Sequence, residues 1–240
     1  MPQEMRWLGP PGSEVRFPDP ASALSWPNGL LAAGGDLAPE RLLAAYRLGI
    51  FPWYETGQPI LWWSPDPRAV IFPRELHISR RLRRFLARAP FEGSFDCAFE
   101  AVVRGCARAE DPAVGTWITP EMLAAYARLH ALGHAHSVEV WVGDELVGGL
   151  YGVAVGKAFF AESMFSRRTN ASKAAMVLLV QELRARDFLV MDCQLPSSHL
   201  ATMGAREIPR REFLALLSQS VVGAPTQGAH WSRTRVAVRA

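Results

Sequence analysis

Lysine is almost missing from this chain: Lys157 and Lys173 are the only two among 26 basic residues, so arginine carries nearly all the positive charge. Cysteine is scarce and odd in number. Cys97, Cys106 and Cys193 show no CxxC spacing, which argues against a disulfide framework or a zinc module and predicts reduced, buried thiols. No apolar run reaches the roughly 18–20 residues needed to cross a bilayer. The start, MPQEMRWLGPPGSEVRF, lacks the basic opening and apolar stretch of a secretory signal, so a soluble cytoplasmic protein is expected. The phosphate-cradling patterns GxGxxG and GxxxxGKS/T are absent, as is the serine-hydrolase elbow GxSxG.

What is present points to a folded enzyme-sized chain. The 240 residues are 49% hydrophobic and 20% charged, enough for one large domain or two smaller ones. The net charge of +3 and pI near 9.0 hint at an anionic partner. Of the 18 prolines and eight tryptophans, many fall in the first 75 residues, where FPDP, WPNG, GGD, FPW and SPDP read as turns. One helix interrupts them, with Pro39 at its first position and Gly49 at its close. This predicts a small N-terminal unit over residues 1–60.

From residue 61 to 240 the pattern changes. RAVIFP reads as a strand, ISRRLRRFLARAP as a helix, and TPEMLAAYARLHALG as a helix capped by Thr119 and stopped by Gly133. SVEVWVGDELVGGLYGVAVGKAFFAESMF reads as three strands joined by hairpin turns at GDE and VGK. NASKAAMVLLVQELRARD is a helix, FLVMDCQ a strand, and REFLALLSQSV a terminal helix. A strand meander followed by helix, strand and helix is an α+β fold.

Four features could carry chemistry. On a regular strand Val190, Asp192 and Gln194 face one way and Leu189, Met191 and Cys193 the other; a buried acid there is either a satisfied structural knot or a site. In FFAESMF, alternation puts Phe160, Glu162 and Met164 on one face, so Glu162 is expected to have a raised pKa or a cationic partner. Arg80, Arg81, Arg84 and Arg88 share a helix face with Arg83 beside them, opposite Leu82, Phe85 and Leu86, which is either a solvated face or a phosphate-binding stripe. The aromatics Phe51, Trp53, Tyr54, Trp62, Trp63 and Trp117 can stack bases or fill a core. His130, His134 and His136 lack the acids or cysteines that would complete a metal set.

The ordered strings GGDL, GIFPWY, ILWWSPDPRAV, HISR, GTWIT, LGHAHSVEVW, LVGGLYGV, ESMFSR, NASKAA, DCQ and EIPRREF, from about Phe17 to Leu217, closely resemble the bacterial leucyl/phenylalanyl-tRNA protein transferase family. That resemblance implies transfer of Leu or Phe, and less well Met, from aminoacyl-tRNA to proteins with N-terminal Arg or Lys, marking them for degradation. It implies a small N-terminal domain followed by a GNAT-like (acetyltransferase-related) domain, with no cofactor or metal and a monomeric state. The GNAT pyrophosphate loop would lie at SRRTNASKAA, which lacks its glycines and so fits an aminoacyl-tRNA donor better than acyl-CoA. The rival readings are an acyl-CoA N-acyltransferase and a non-catalytic RNA-binding adaptor.

By the same resemblance, Trp53 and Trp117 hold the 3′-terminal adenosine, and Tyr126 belongs to the substrate site. Leu150, Phe159, Met164, Met176, Leu179 and Met191 line the donor side-chain pocket, and the arginine helix takes the tRNA. Glu162, Asp192 and Gln194 form the catalytic group. Asp192 is expected to favour proton removal, Gln194 to contact the amine or the carbonyl, and Glu162 to recognise the acceptor's positive charge.

Overall fold

Turn chemistry sets the first elements. The structure is a computed structural model and describes residues 5–107, 116–221, 231 and 235–239. Strands β1 (Arg6–Leu8), β2 (Leu30–Gly34), β3 (Phe51–Pro52) and β4 (Leu61–Trp63) form a sheet in the order β1-β2-β4-β3, with α1 (Pro39–Arg47) between β2 and β3. The sequence suggested only turns around one helix here; strands of two to five residues are too short for alternation to reveal. Helix α1 starts at Pro39 as expected. Gly49, at φ +69°, closes it while its N–H donates to the Tyr46 carbonyl at 3.0 Å. A side chain at that position would also meet Leu214 at 2.8 Å.

The remaining elements are β5 (Arg68–Ile71), α2 (Arg80–Leu86), β6 (Glu92–Phe95), α3 (Phe99–Ala107), α4 (Pro120–Ala131), β7 (Ala135–Val142), β8 (Glu145–Val155), β9 (Ala158–Ser166), α5 (Ala171–Ala185), β10 (Val190–Gln194), α6 (Ser198–Ala201), β11 (Arg206–Ile208), α7 (Arg210–Val221) and β12 (Val236–Ala237). They bear out the α+β reading. The large sheet runs β11-β5-β10-β9-β8-β7-β6-β12. Its two hairpins turn at Gly143 and Gly156, both at positive φ as the GDE and VGK signals require. Helix α4 has the expected cap, the Thr119 hydroxyl accepting from the Met122 N–H at 3.2 Å.

Each face of this sheet buries its own core. One core holds Leu42 and Tyr46 of α1, Phe99 and Val102 of α3, Met122 and Tyr126 of α4, and Phe213 of α7. The other holds Leu82 and Leu86 of α2 and the apolar run of α5. The N-terminal segment thus shares a core with the large sheet through α1.

Strands β9 and β10 are parallel and pair only between Ala158–Phe160 and Val190–Asp192. Bulges then interrupt both: Glu162 is the extra residue of β9 against β8, and β10 slips against β5 between Asp192 and Gln194. A bulge ends pairing and re-aims side chains, so the two strands part beyond Phe160 and Asp192, with Glu162 on one and Gln194 on the other.

Candidate active site

Asp192 lies at the point of parting and is fully buried. Its Oδ1 accepts from Arg68 Nε at 2.7 Å and its Oδ2 from Arg68 Nη2 at 2.6 Å, a bidentate pair with both side chains at 0% exposure. Arg68 Nη1 also donates to the Gly49 carbonyl at 3.0 Å. Its guanidinium lies 5.0 Å from the Phe51 ring centre and 4.7 Å from that of Phe213. A buried carboxylate is tolerated when its charge and lone pairs are met in this way. The expectation that Asp192 is an available base therefore does not fit its surroundings, because its oxygens are engaged by Arg68 and by the Gln194 amide.

Gln194 departs from strand geometry. It sits at φ +56°, its N–H donates to Asp192 Oδ1 at 3.0 Å, and the next N–H, of Leu195, donates to the Cys193 carbonyl at 2.7 Å. That is a tight three-residue turn with a strained non-glycine residue at its centre. The simple alternation expected for Val190, Asp192 and Gln194 breaks at this bulge. Gln194 Nε2 is buried and has no hydrogen-bond partner among the described residues, a donor pair awaiting an acceptor.

Glu162 is half-buried across the divide. Tyr46 of α1 and Tyr126 of α4 donate to its Oε1 and Oε2 at 2.8 Å each, and the two hydroxyl oxygens are 2.6 Å apart. Burial pushes its carboxyl up to about 7 against the lowering effect of both hydroxyls; Asp192 adds to the rise and Arg68 opposes it. The expected raised pKa holds, but the expected face does not. Phe160 stays in the α1 and α4 core while Met164 packs against the α5 core, because the bulge at Glu162 reverses the alternation between them.

Leu150, Phe159, Met176, Leu179 and Met191 lie together in the α5 core, each no more than 1% exposed, and Met164 packs half-buried against them. Cross-strand pairs Leu150 with Met164 and Phe159 with Met191 bring them together. They occupy the opposite sheet face from Tyr46, Tyr126 and Arg68.

Trp53 is 43% exposed, with its ring 5.7 Å from that of Trp63. Trp117 is half-buried against the α1 and α4 core. The segments following these tryptophans meet at a cavity of about 610 Å³ lined by Tyr54, Thr56, Thr119 and Glu121.

Arg80, Arg81, Arg83, Arg84 and Arg88 are all exposed. Helix α2 ends at Leu86, so Arg88 falls beyond it rather than on a third turn of the same face. Arg81, Arg84 and Arg88 line a cavity of about 780 Å³ together with Arg167 and Arg168 from the β9–α5 loop, over a floor that includes Phe85 and Phe91. Arg167 and Arg168 were missed as site residues in the sequence, although their pairing in SRRT was visible.

Of the cysteines, Cys193 is buried and Cys106 half-buried, but Cys97 is exposed, contrary to expectation. His136 Nδ1 lies 2.9 Å from Asp96 Oδ2, and His130 Nδ1 lies 2.8 Å from the Ala135 carbonyl. No group of three or more His, Cys, Asp or Glu among the described residues is placed to hold a metal ion. No described helix is long and apolar enough to cross a membrane.

The sequence model of the leucyl/phenylalanyl-tRNA protein transferase family matches residues 70–218, and the model of that family's N-terminal domain matches residues 35–66. The leucyl/phenylalanyl-tRNA–protein transferase of Azoarcus sp. (strain BH72) is 58% identical over 92% of this chain and 94% of its own length. The protein of the same description from Pseudomonas syringae pv. syringae (strain B728a) is 54% identical over 97% of this chain and all of its own length. The solved structure of L-PGS from Bacillus licheniformis, at 10% identity and a TM-score of 0.41 over 81% of this chain and 73% of that one, is too distant to bear on the chemistry. The chain belongs to the leucyl/phenylalanyl-tRNA protein transferase family.

Proposed function

We propose that the parting of β9 and β10 is where an amino acid passes from tRNA to the N-terminus of a protein. The donors are Leu-tRNA and Phe-tRNA, and Met-tRNA less well. The acceptors carry N-terminal Arg or Lys and are thereby marked for degradation. An aminoacyl ester is already activated, so position, a neutral amine and charge stabilisation suffice. The enzyme acts as a cytoplasmic monomer without cofactor, as a small N-terminal domain (1–60) and a GNAT-like catalytic domain (61–240). The parting of two parallel strands supports that last assignment.

The observation that carries this reading is the unpartnered, buried Gln194 Nε2 beside a fully engaged Asp192. A donor held in place without an acceptor suits an oxygen on which charge develops, here the ester carbonyl. Asp192 and Arg68 position it, and Glu162 meets the acceptor ammonium across the divide. The donor side chain enters at Met164 and is selected by Leu150, Phe159, Met176, Leu179 and Met191, at about 0.8 kcal/mol per methylene buried. Trp53 and Trp117 hold the terminal adenosine, while the arginines of α2, with Arg167 and Arg168, meet the tRNA phosphates.

Incubation with an N-terminal Arg peptide and either labelled Phe-tRNA or labelled acetyl-CoA tests it. Label reaches the peptide from the tRNA alone. Label from acetyl-CoA would favour the acyl-CoA reading, and no label from either would leave an RNA-binding adaptor.

A further inference from the structure

Glu162, Tyr46 and Tyr126 form a closed triangle of three oxygen–oxygen contacts, at 2.6, 2.8 and 2.8 Å. Each contact needs one proton, and each tyrosine supplies one. With Glu162 ionised, two protons serve three contacts and one pair of oxygens faces lone pair to lone pair. With Glu162 protonated the ring closes: the carboxyl donates to Tyr46, Tyr46 to Tyr126, and Tyr126 back to the second carboxyl oxygen. All three contacts are thus satisfied only in the three-proton ring, where Tyr46 accepts from the carboxyl instead of donating to it as it does to the carboxylate. Loss of one proton leaves the ring able to take one from a nearby ammonium.

We propose that this ring is the proton store of the transfer, taking a proton from the acceptor's α-ammonium and returning it to the 3′ oxygen that leaves the donor. The inference rests on the reading that Glu162 meets the acceptor amine. In its two-proton form the ring accepts a proton from the ammonium. The freed nitrogen lone pair attacks the ester carbon and a C–N bond forms. The C–O bond to the ribose 3′ oxygen then breaks with its electron pair, and the ring's proton goes to that oxygen. The nitrogen's second proton leaves to solvent.

The surroundings hold the store near neutrality. Burial raises the carboxyl to about 7, within reach of the acceptor amine. The groups facing it are Tyr46 from α1, Tyr126 from α4, Tyr151 from β8, Asp192 from β10 and Arg68 from β5. Cys106 of α3 stands behind Tyr151 with its thiol pushed up to about 12 by burial. All three tyrosines are held well above their usual value, so none ionises in its place.

The test is the pH profile of kcat for Phe transfer from Phe-tRNA to an N-terminal Arg peptide. The wild type rises with pH through an inflection near 7. Tyr46→Phe and Tyr126→Phe each remove a donor to the carboxylate, moving that inflection up and lowering kcat at neutral pH by about 5-fold, with KM for Phe-tRNA within about 2-fold. Folded Phe variants that keep the wild-type profile overturn the ring. Glu162→Gln abolishes the inflection; a Gln variant with full activity would instead overturn the placement of Glu162 at the amine. Infrared difference spectra give a readout that needs no tyrosine variant. The wild type shows a protonated carboxyl band at about one unit below neutrality that is missing from Glu162→Gln and fades above neutrality. Its absence from the wild type overturns the proposal.

Discussion

At the scale of residues, the fold separates two acids that look alike in the sequence. Asp192 is saturated by a fork of two N–H groups and a backbone amide, whereas Glu162 accepts, among the described residues, from two hydroxyls. The first is a fixed post, and burial pushes the second up to about 7. Arg68→Lys keeps the charge but loses the planar fork and the grip on the Gly49 carbonyl. A folded Arg68→Lys variant is expected to lose about 10-fold or more in kcat with KM for Phe-tRNA little changed, as when an interaction made only in the transition state is removed; steady-state kinetics on the purified variant check it. Little of this was legible. Arg68 finds its partner 124 positions away, and no local pattern marks a residue whose role is set by so distant a contact. Tyr46 reads as one more apolar position of an amphipathic helix, and its hydroxyl acquires meaning only against Tyr126 and Glu162.

At the scale of elements, what local chemistry dictates was readable and what depends on bulges was not. The caps of α4, the turns at Gly143 and Gly156, and the long apolar run of α5 follow from residue type at a fixed offset. Thr119→Ala should accordingly cost about 1 kcal/mol in urea unfolding. Alternation failed at Glu162 and Gln194, because one inserted residue reverses every face after it. The arginine stripe was recognisable as a basic face. Its second wall, Arg167 and Arg168, comes from a loop whose closeness to α2 is tertiary. Replacing Arg84 and Arg167 together by Ala should weaken tRNA binding and lower the slope of log K against log salt by about 0.7–0.9 for each phosphate no longer neutralised. Filter binding at several salt concentrations measures this, and an unchanged slope would remove the cavity from the tRNA path.

At the scale of the whole molecule, the N-terminal segment is packed into the candidate site rather than appended to the large sheet. It contributes Tyr46 to the Glu162 ring and the Gly49 carbonyl to Arg68, and Leu42 and Tyr46 lie in the core beneath the large sheet. Residues 61–240 alone are thus expected to show no transfer and no cooperative melting, which circular dichroism with a transfer assay would check. The α+β class and the run β7-β8-β9-α5-β10 were legible from hydrophobic pattern, because they are built from contacts near in sequence. The junction of the two segments was not, since it is built from pairs far apart.

The central claim is that a donor fixed on Gln194 stabilises the reacting ester while Asp192 only holds it there. Single-turnover transfer of labelled Phe from saturating Phe-tRNA to an N-terminal Arg peptide, compared between wild type and Gln194→Ala, tests it most directly. The predicted result is a rate about 100-fold lower for the variant with unchanged affinity for Phe-tRNA. A variant that transfers at the wild-type rate, or one that is slower only because it binds tRNA less well, would contradict it.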